Sequence, residues 1–299
     1  MDDSSFDPRL VRPDREGVIA AADGTSLPYQ EFGSGPAVVL ANGIGVRWPG
    51  LAWQIAALRD RCRVVCWDYR GMGPSRLASP AGDVSMGRQA EDALALLDQL
   101  RIDRAIFGGW SMGVQVALEV LRRRPERVTG FAALLGAYGR PFRGAFPPPV
   151  ARAIEAFFAT LLRVPPLAQA PLDLAVALPD VAFALLCRVL FVGPDADRRV
   201  FDDDVRWVAR SDRRVYLRTM LELAEHDARD VLAGIDCPAL VVCGSRDHLT
   251  PPRVAREMAD AIRGAEYLEL PGATHFGLIE QPGPLNVRLR ELVRRAYGG

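Results

Sequence analysis

The chain has 299 residues, 49% of them hydrophobic and 25% charged, with 37 basic against 37 acidic side chains and a formal net charge of zero. That length and apolar content suffice for a large α/β core and exclude a disordered chain, while the balanced charge offers no overall field to collect nucleic acid or anionic lipid, leaving a neutral small molecule as the expected partner. Every basic residue is arginine, so the chain has no side-chain amine for a Schiff base, no Walker lysine for a nucleotide and no serine–lysine dyad.

Met1 to Arg15 carries four aspartates and no apolar stretch of the signal-peptide kind, and no 18-residue apolar span follows, which predicts a soluble cytoplasmic protein without a membrane span. Residues 16–22 and 26–32 flank Asp23-Gly24, a hairpin signal. After the break Gly33-Ser34-Gly35-Pro36, the run Ala37-Val38-Val39-Leu40-Ala41 reads as a buried strand, residues 50–59 as a helix, Arg63-Val64-Val65-Cys66-Trp67 as a second buried strand and 71–75 as a glycine-rich turn. Over 87–100, Ala90, Ala93, Leu94, Leu97 and Leu100 share one helical face, and strands are expected at 104–108 and 128–135. Continuous apolar strands separated by helices imply a mostly parallel sheet covered on both faces.

From Arg140 to Asp212 the pattern changes: prolines gather at 147–149 and 165–166, and Ile154, Phe157, Phe158, Leu161 and Leu162, then Leu185, Leu186, Val189 and Leu190, are apolar at helical spacing. The core pattern resumes at Ala239-Leu240-Val241-Val242-Cys243, followed by a helix at 252–263, a strand at 265–270 and an amphipathic helix at 284–297. The expected organisation is a core of residues 1–139 and 213–299 interrupted by a helical lid, 140–212, over the carboxyl edge of the sheet. Within the lid, Asp202, Asp203 and Asp204 read as a helix cap or solvated face. The five cysteines are odd in number and lack CxxC spacing, so buried free thiols are expected, with no metal and no cofactor.

The chemistry concentrates at Gly109-Trp110-Ser111-Met112-Gly113, set between the apolar run Ala105-Ile106-Phe107 and the helical stretch Val114–Arg124. Strand, sharp turn and helix with serine at the apex is the context of a nucleophile elbow, whose flanking glycines let two backbones pass closely. A serine hydroxyl needs a base within hydrogen-bond reach and a third group to orient that base. Of the three histidines, His226 lies in the helical pattern Met220–Leu232 and reads as an interhelix or surface residue, His248 follows a strand, and His275 lies in the loop Pro271-Gly272-Ala273-Thr274-His275-Phe276. Asp247, in Gly244-Ser245-Arg246-Asp247, directly follows the strand 239–243. Ser111, Asp247 and His275 thus each stand beyond a separate strand, where open α/β sheets carry their chemistry.

With the blocks Leu40-Ala41-Asn42-Gly43-Ile44-Gly45 and Asp68-Tyr69-Arg70-Gly71-Met72-Gly73-Pro74-Ser75 added, the chain resembles the α/β-hydrolase superfamily from about residue 17 onward, in its lid-bearing serine esterase, lactonase and haloperoxidase-like branch. The resemblance implies an α/β-hydrolase fold and a Ser111–His275–Asp247 triad. It further implies an oxyanion hole made by the backbone N–H of Met112 and that of Ile44, with Gly43 as second choice, although Asn42 stands where the family usually has histidine. Arg70 is expected to brace the sheet edge. Asn42, Gly43, Trp110 and Phe276 are candidate pocket residues. The activity implied is cleavage of a carboxylic ester, lactone or thioester of an apolar small molecule, the alternatives being diketone carbon–carbon hydrolysis, haloperoxidase-like perhydrolysis and, outside catalysis, a ligand receptor. The natural substrate and the oligomeric state are not written in these motifs.

Overall fold

The computed structural model describes residues 7–164 and 166–298; Asp2 and Asp3 of the acidic amino terminus and Pro165 of the second proline pair lie outside them. In chain order the elements are β1 Arg15–Ala20, β2 Ser26–Phe32, β3 Ala37–Ala41, α1 Ala52–Leu58, β4 Arg63–Trp67, α2 Met86–Gln99, β5 Ala105–Trp110, α3 Met112–Arg123 and β6 Val128–Leu134. There follow α4 Pro141–Ala145, α5 Pro148–Arg163, α6 Pro166–Ala177, α7 Pro179–Arg188, α8 Arg198–Arg210, α9 Arg213–Glu225, α10 Arg229–Leu232, β7 Ala239–Gly244, α11 Pro252–Ala261, β8 Glu266–Leu270, α12 Gly277–Glu280 and α13 Pro282–Tyr297.

The strands form one sheet in the order β1-β2-β4-β3-β5-β6-β7-β8. The hairpin β1–β2 and the pair β2–β4 are antiparallel and the rest parallel. The continuous apolar runs β3 and β7 are buried along their whole length, as strands covered on both faces must be, whereas the edge strands β1 and β8 keep exposed positions. This is the α/β-hydrolase fold expected from the sequence, and the hairpin turns at Gly24 with φ +84°, a conformation that costs glycine nothing.

Strand order decides where chemistry can gather. From β3 the chain steps to β4 on one side, then crosses back to β5 on the other, so the loops after β3 and β5 diverge and leave a crevice at their carboxyl ends. Ala41 pairs with Gly109 in register, which sets the turn at Asn42–Gly45 beside Ser111.

Residues 140–212 form α4 to α8. Their side chains pack on loops at the carboxyl ends of β3, β4 and β8: Val208 lies near Gly45, Trp207 covers Gly73, and Phe191 and Phe201 meet Phe276. Asp204 departs from the expectation of a solvated face. Val200, Phe201 and Asp204 share the inward side of α8, and Asp204 is buried against Gly50, its Oδ2 without a hydrogen-bond partner among the described residues. Burial, reinforced by neighbouring Asp203, pushes its carboxyl well above the usual range, in the direction that favours the neutral acid. Asp202 and Asp203 instead pair with Arg198 and Arg206.

The helical pattern expected over Met220–Leu232 is also broken. α9 ends at Glu225, and His226 takes an extended conformation, φ −60° and ψ 140°. The backbone has a better use there: the amide of Arg140 donates to the His226 carbonyl, the amide of Ala228 donates to Tyr138, and Gly139 bridges Asp227, tying this segment to the chain leaving β6. All five cysteines are free, and Cys62, Cys66 and Cys243 are buried.

Candidate active site

Ser111 caps the gap between β5 and α3 with φ 54° and ψ −115°, a conformation that a non-glycine residue holds only when its surroundings enforce it. Its neighbours explain the enforcement. A Cβ on Gly109 would lie 2.2 Å from the Gly113 carbonyl carbon, and one on Gly113 would lie 2.2 Å from the Ala41 carbonyl oxygen. Strand, helix and neighbouring strand therefore approach as closely as backbone allows, and the serine side chain is turned outward at the sheet edge.

Three side chains distant in sequence meet at this point. His275 Nε2 lies 2.9 Å from Ser111 Oγ, and His275 Nδ1 lies 2.9 Å from Asp247 Oδ2. Asp247 is 1% exposed and His275 6%, so both sit in a poorly solvated environment. Burial alone would raise the Asp247 pKa. The charge and hydrogen bond of His275, with further hydrogen bonds from Thr250, outweigh that and hold the carboxyl below its ordinary value.

Thr250 is a residue that motif reading missed. Its hydroxyl donates to Asp247 Oδ2 at 2.6 Å and its amide donates to Oδ1 at 2.9 Å, joined by the amide of Leu249 at 2.8 Å. Oδ1 is thereby held by two amides, while Oδ2 is shared by the Thr250 hydroxyl and the imidazole. The available signal was a threonine three residues after an aspartate in a post-strand turn. The loop carrying His275 is pinned as well, since Glu280 accepts from the Thr274 amide at 2.8 Å and from its hydroxyl at 2.5 Å, and Trp110 Nε1 donates to the His275 carbonyl at 3.3 Å.

The turn after β3 is held from below. Asn42 is buried, donates through Nδ2 to the Trp67 carbonyl at 3.0 Å, and accepts at its own carbonyl from the Tyr69 hydroxyl at 2.8 Å. The asparagine side chain is thus bonded to the end of β4. Among the described residues, the amides of Gly43, Ile44 and Met112 donate to no protein acceptor, which leaves them available to a bound oxyanion. Trp110 and Phe276, 3% and 7% exposed, belong to an aromatic cluster with Phe191 and Phe201. They form the apolar floor under the histidine.

The other two histidines stay outside. His248 is exposed beside Asp247, and its side chain makes no hydrogen bond among the described residues. His226 Nε2 lies 2.8 Å from Glu119 Oε1 on α3, and burial, followed by the charge of Arg122, brings its pKa down to about 4 from 6.5. Folded His226 therefore binds fewer protons than the unfolded residue between those two values, so its contribution to stability is complete above pH 6.5 and lost as pH falls toward 4. Across that window the His226→Gln variant is expected to lose about 2–3 kcal/mol less than the native chain. Urea unfolding at stepped pH measures this, and identical pH slopes for the two proteins would refute the neutral, buried imidazole.

Among the described residues no group of three or more His, Cys, Asp or Glu could hold a metal ion. The model of the alpha/beta hydrolase fold family matches residues 36–282. Among characterised relatives, 3-oxoadipate enol-lactonase 2 of Acinetobacter baylyi is 28% identical over 92% of this chain and 95% of its own. Among solved structures, the enol-lactonase of Burkholderia xenovorans LB400 is 28% identical and superposes with a TM-score of 0.72, covering 93% of this chain and 99% of that one. An esterase of Exiguobacterium antarcticum shares the fold at a TM-score of 0.78 and 20% identity, over 94% of this chain and all of the other. With fold, family model and these relatives in agreement, the chain belongs to the alpha/beta hydrolase family and is a hydrolase of that fold.

Proposed function

We propose that this hydrolase cleaves a carboxylic ester, or the related lactone or thioester, of an apolar small molecule through an acyl-enzyme on Ser111. The observation that carries the reading is the continuous hydrogen-bond line from Ser111 Oγ through His275 to Asp247, with 2.9 Å at each step. His275 Nε2 takes the hydroxyl proton as Ser111 Oγ bonds to the substrate carbonyl carbon. Asp247 holds Nδ1–H, fixing the tautomer and balancing the imidazolium that forms. The amides of Met112 and Ile44 donate to the oxyanion, each contributing about 3–4 kcal/mol to the transition state, with Gly43 as the alternative second donor. The tetrahedral intermediate collapses as the leaving oxygen takes the proton from Nε2; water, deprotonated by the same nitrogen, then releases the acid and restores Ser111.

The aromatic cluster of Trp110, Phe191, Phe201 and Phe276 favours an apolar acyl or aromatic group beside the carbonyl. Residues 140–212 act as the lid in this reading, since they pack on the turns that carry Gly45 and Phe276. A panel of p-nitrophenyl esters of increasing acyl length, combined with a serine-directed phosphonate, tests the proposal. Turnover should stop as one phosphonyl group attaches to the peptide containing Ser111, as read by mass spectrometry. Full activity in protein whose Ser111 is completely labelled would overturn it, and turnover of a diketone or of halide with peroxide, without any ester cleavage, would redirect it to carbon–carbon hydrolysis or perhydrolysis.

A further inference from the structure

Glu280 closes α12 just beyond His275, half-buried and without an ion-pair partner among the described residues. Its carboxylate instead receives three neutral donors, and they come from two separate parts of the chain. The amide of Thr274, the residue before His275, donates to Oε2 at 2.8 Å, and the Thr274 hydroxyl donates to Oε1 at 2.5 Å. The amide of Gly193, in the connection between α7 and α8, donates to Oε1 at 2.7 Å. That connection follows the histidine loop further: the Asp197 amide donates to the Ile279 carbonyl at 3.1 Å, and the Phe191 ring lies 5.4 Å from that of Phe276. Val192, Gly193 and Ala196 are buried, so the connection is seated against the loop.

The chemistry of the three donors explains the acid. The single hydrogen of the Thr274 hydroxyl can serve either Glu280 or the Phe191 carbonyl, 3.2 Å away, and the contact to Glu280 is the shorter. Three hydrogens then point at one side chain, which the two oxygens of a carboxylate can accept, whereas an amide turns an N–H toward one of them. Gly193 is fitted to the same contact. A Cβ there would lie 2.8 Å from Glu280 Cδ and 2.9 and 3.0 Å from its oxygens, although the Gly193 φ lies outside the positive region and alanine suits its backbone. The strain of such a methyl therefore falls on the carboxylate, which can retreat only by loosening its bonds to Thr274. On the other side of the imidazole, Trp110 Nε1 holds the His275 carbonyl at 3.3 Å, so Glu280 supplies one of two restraints on the backbone that carries the base. A small displacement of that base from Ser111 costs rate without altering what binds the substrate.

We propose that Glu280 is a positioning residue, which sets the His275 imidazole through Thr274 and makes that setting depend on the seating of the connection between α7 and α8 at Gly193. The inference rests on His275 acting as the base of Ser111, as proposed above. The test is turnover of a p-nitrophenyl ester, per site titrated with the serine-directed phosphonate, by the native chain, Glu280→Gln, Gly193→Ala and the double variant. In each single variant kcat should fall about tenfold to a hundredfold with KM within about threefold of native, because acylation and deacylation both draw on the imidazole and slow together. The double variant should be little slower than the slower single one, since both act through one contact. Should Glu280→Gln fold poorly, Gly193→Ala keeps every hydrogen-bonding group and carries the test. Native kcat per titrated site beside a lowered unfolding midpoint would make Glu280 a structural tie, and a raised KM with native kcat would make it a binding residue. Losses that multiply in the double variant would separate Gly193 from it, and each of these three results overturns the proposal. A native chain that the phosphonate does not label would overturn the ester-hydrolase reading and this proposal with it, whereas a labelled native chain with unimpaired variants sinks this proposal alone.

Discussion

Ser111→Ala is expected to lower kcat/KM for a p-nitrophenyl ester by about ten-thousandfold to a millionfold while leaving the unfolding midpoint within a few degrees of the native value. Among the described residues the hydroxyl holds only the imidazole, through Oγ to His275 Nε2 at 2.9 Å, and the elbow that carries it is enforced by backbone contacts of Gly109 and Gly113 that an alanine at 111 does not alter. The diagnostic step is the double variant Ser111→Ala/His275→Ala. A nucleophile and its base act as one unit, so removing both should cost no more than removing the first. If the two losses multiply instead, the hydroxyl and the imidazole work independently and the proposed proton transfer between them is wrong. Residual turnover above the uncatalysed rate is expected in both variants, because neither alters the Met112 and Ile44 amides proposed to hold the oxyanion.

What could be read in the chain beforehand was whatever local spacing encodes. The elbow needs glycines two positions before and after the serine for a reason internal to five residues, and strands such as Val38–Leu40 and Leu240–Val242 announce two-sided burial by unbroken apolarity. The mutual approach of Ser111, Asp247 and His275 was also anticipated, because each follows its own strand and parallel strands point their carboxyl ends the same way. Contacts made across elements were not legible in that manner. Asp204 reads as one of three consecutive acids on a helix, and only the packing of α8 against Gly50 shows it to be buried, its Oδ2 without a partner among the described residues. His226 sits in a sequence with every mark of a continuing helix, and the bridge between Gly139 and Asp227 takes the backbone out of it. Thr250 is a common residue in a common turn until the Asp247 carboxylate is seen to receive both its hydroxyl and its amide.

Asn42 illustrates the same division. Its departure from the usual histidine was visible in the sequence. The structure adds the consequence: the amide side chain ties the turn to Trp67, and Tyr69 ties its carbonyl, so the loop bearing the Gly43 and Ile44 amides is anchored to the end of β4 without an imidazole. That anchor depends in turn on what fixes the segment after β4, and there a single side chain dominates.

Arg70 is fully buried, and its loss is expected to be the most destabilising of the substitutions considered. Its Nε and Nη2 each donate to Asp92 at 2.7 Å, and Nη1 donates to Asp23 at 3.0 Å and to the Asp83 carbonyl at 2.9 Å. A buried ion pair of this kind returns little net stability compared with an apolar substitute for the whole set, but removing one member strands the others. Arg70→Met leaves Asp92, 1% exposed, without its cation. The cost should be about 3–5 kcal/mol, lowering the thermal midpoint by about 10 °C, with Arg70→Lys intermediate because it restores charge but not the planar fork. The pH dependence follows from the two acids. Burial raises the Asp92 carboxyl despite Arg70, whereas the Arg70 and Thr25 hydrogen bonds hold Asp23 far below its ordinary value against the opposing effect of burial. The stability that Asp23 supplies is present above its unfolded pKa and lost below it, and a stranded Asp92 is penalised only while ionised. The deficit of Arg70→Met should therefore be largest near neutrality, shrink as pH falls toward about 4 and the stranded Asp92 takes up a proton, and lose its Asp23 share only below that. Turnover per folded molecule at low temperature should stay near the native rate, since Arg70 reaches neither Ser111 nor His275. A variant with a native melting point but a kcat/KM lowered about a hundredfold would instead make Arg70 a substrate-binding residue and undo its assignment as the brace of this edge.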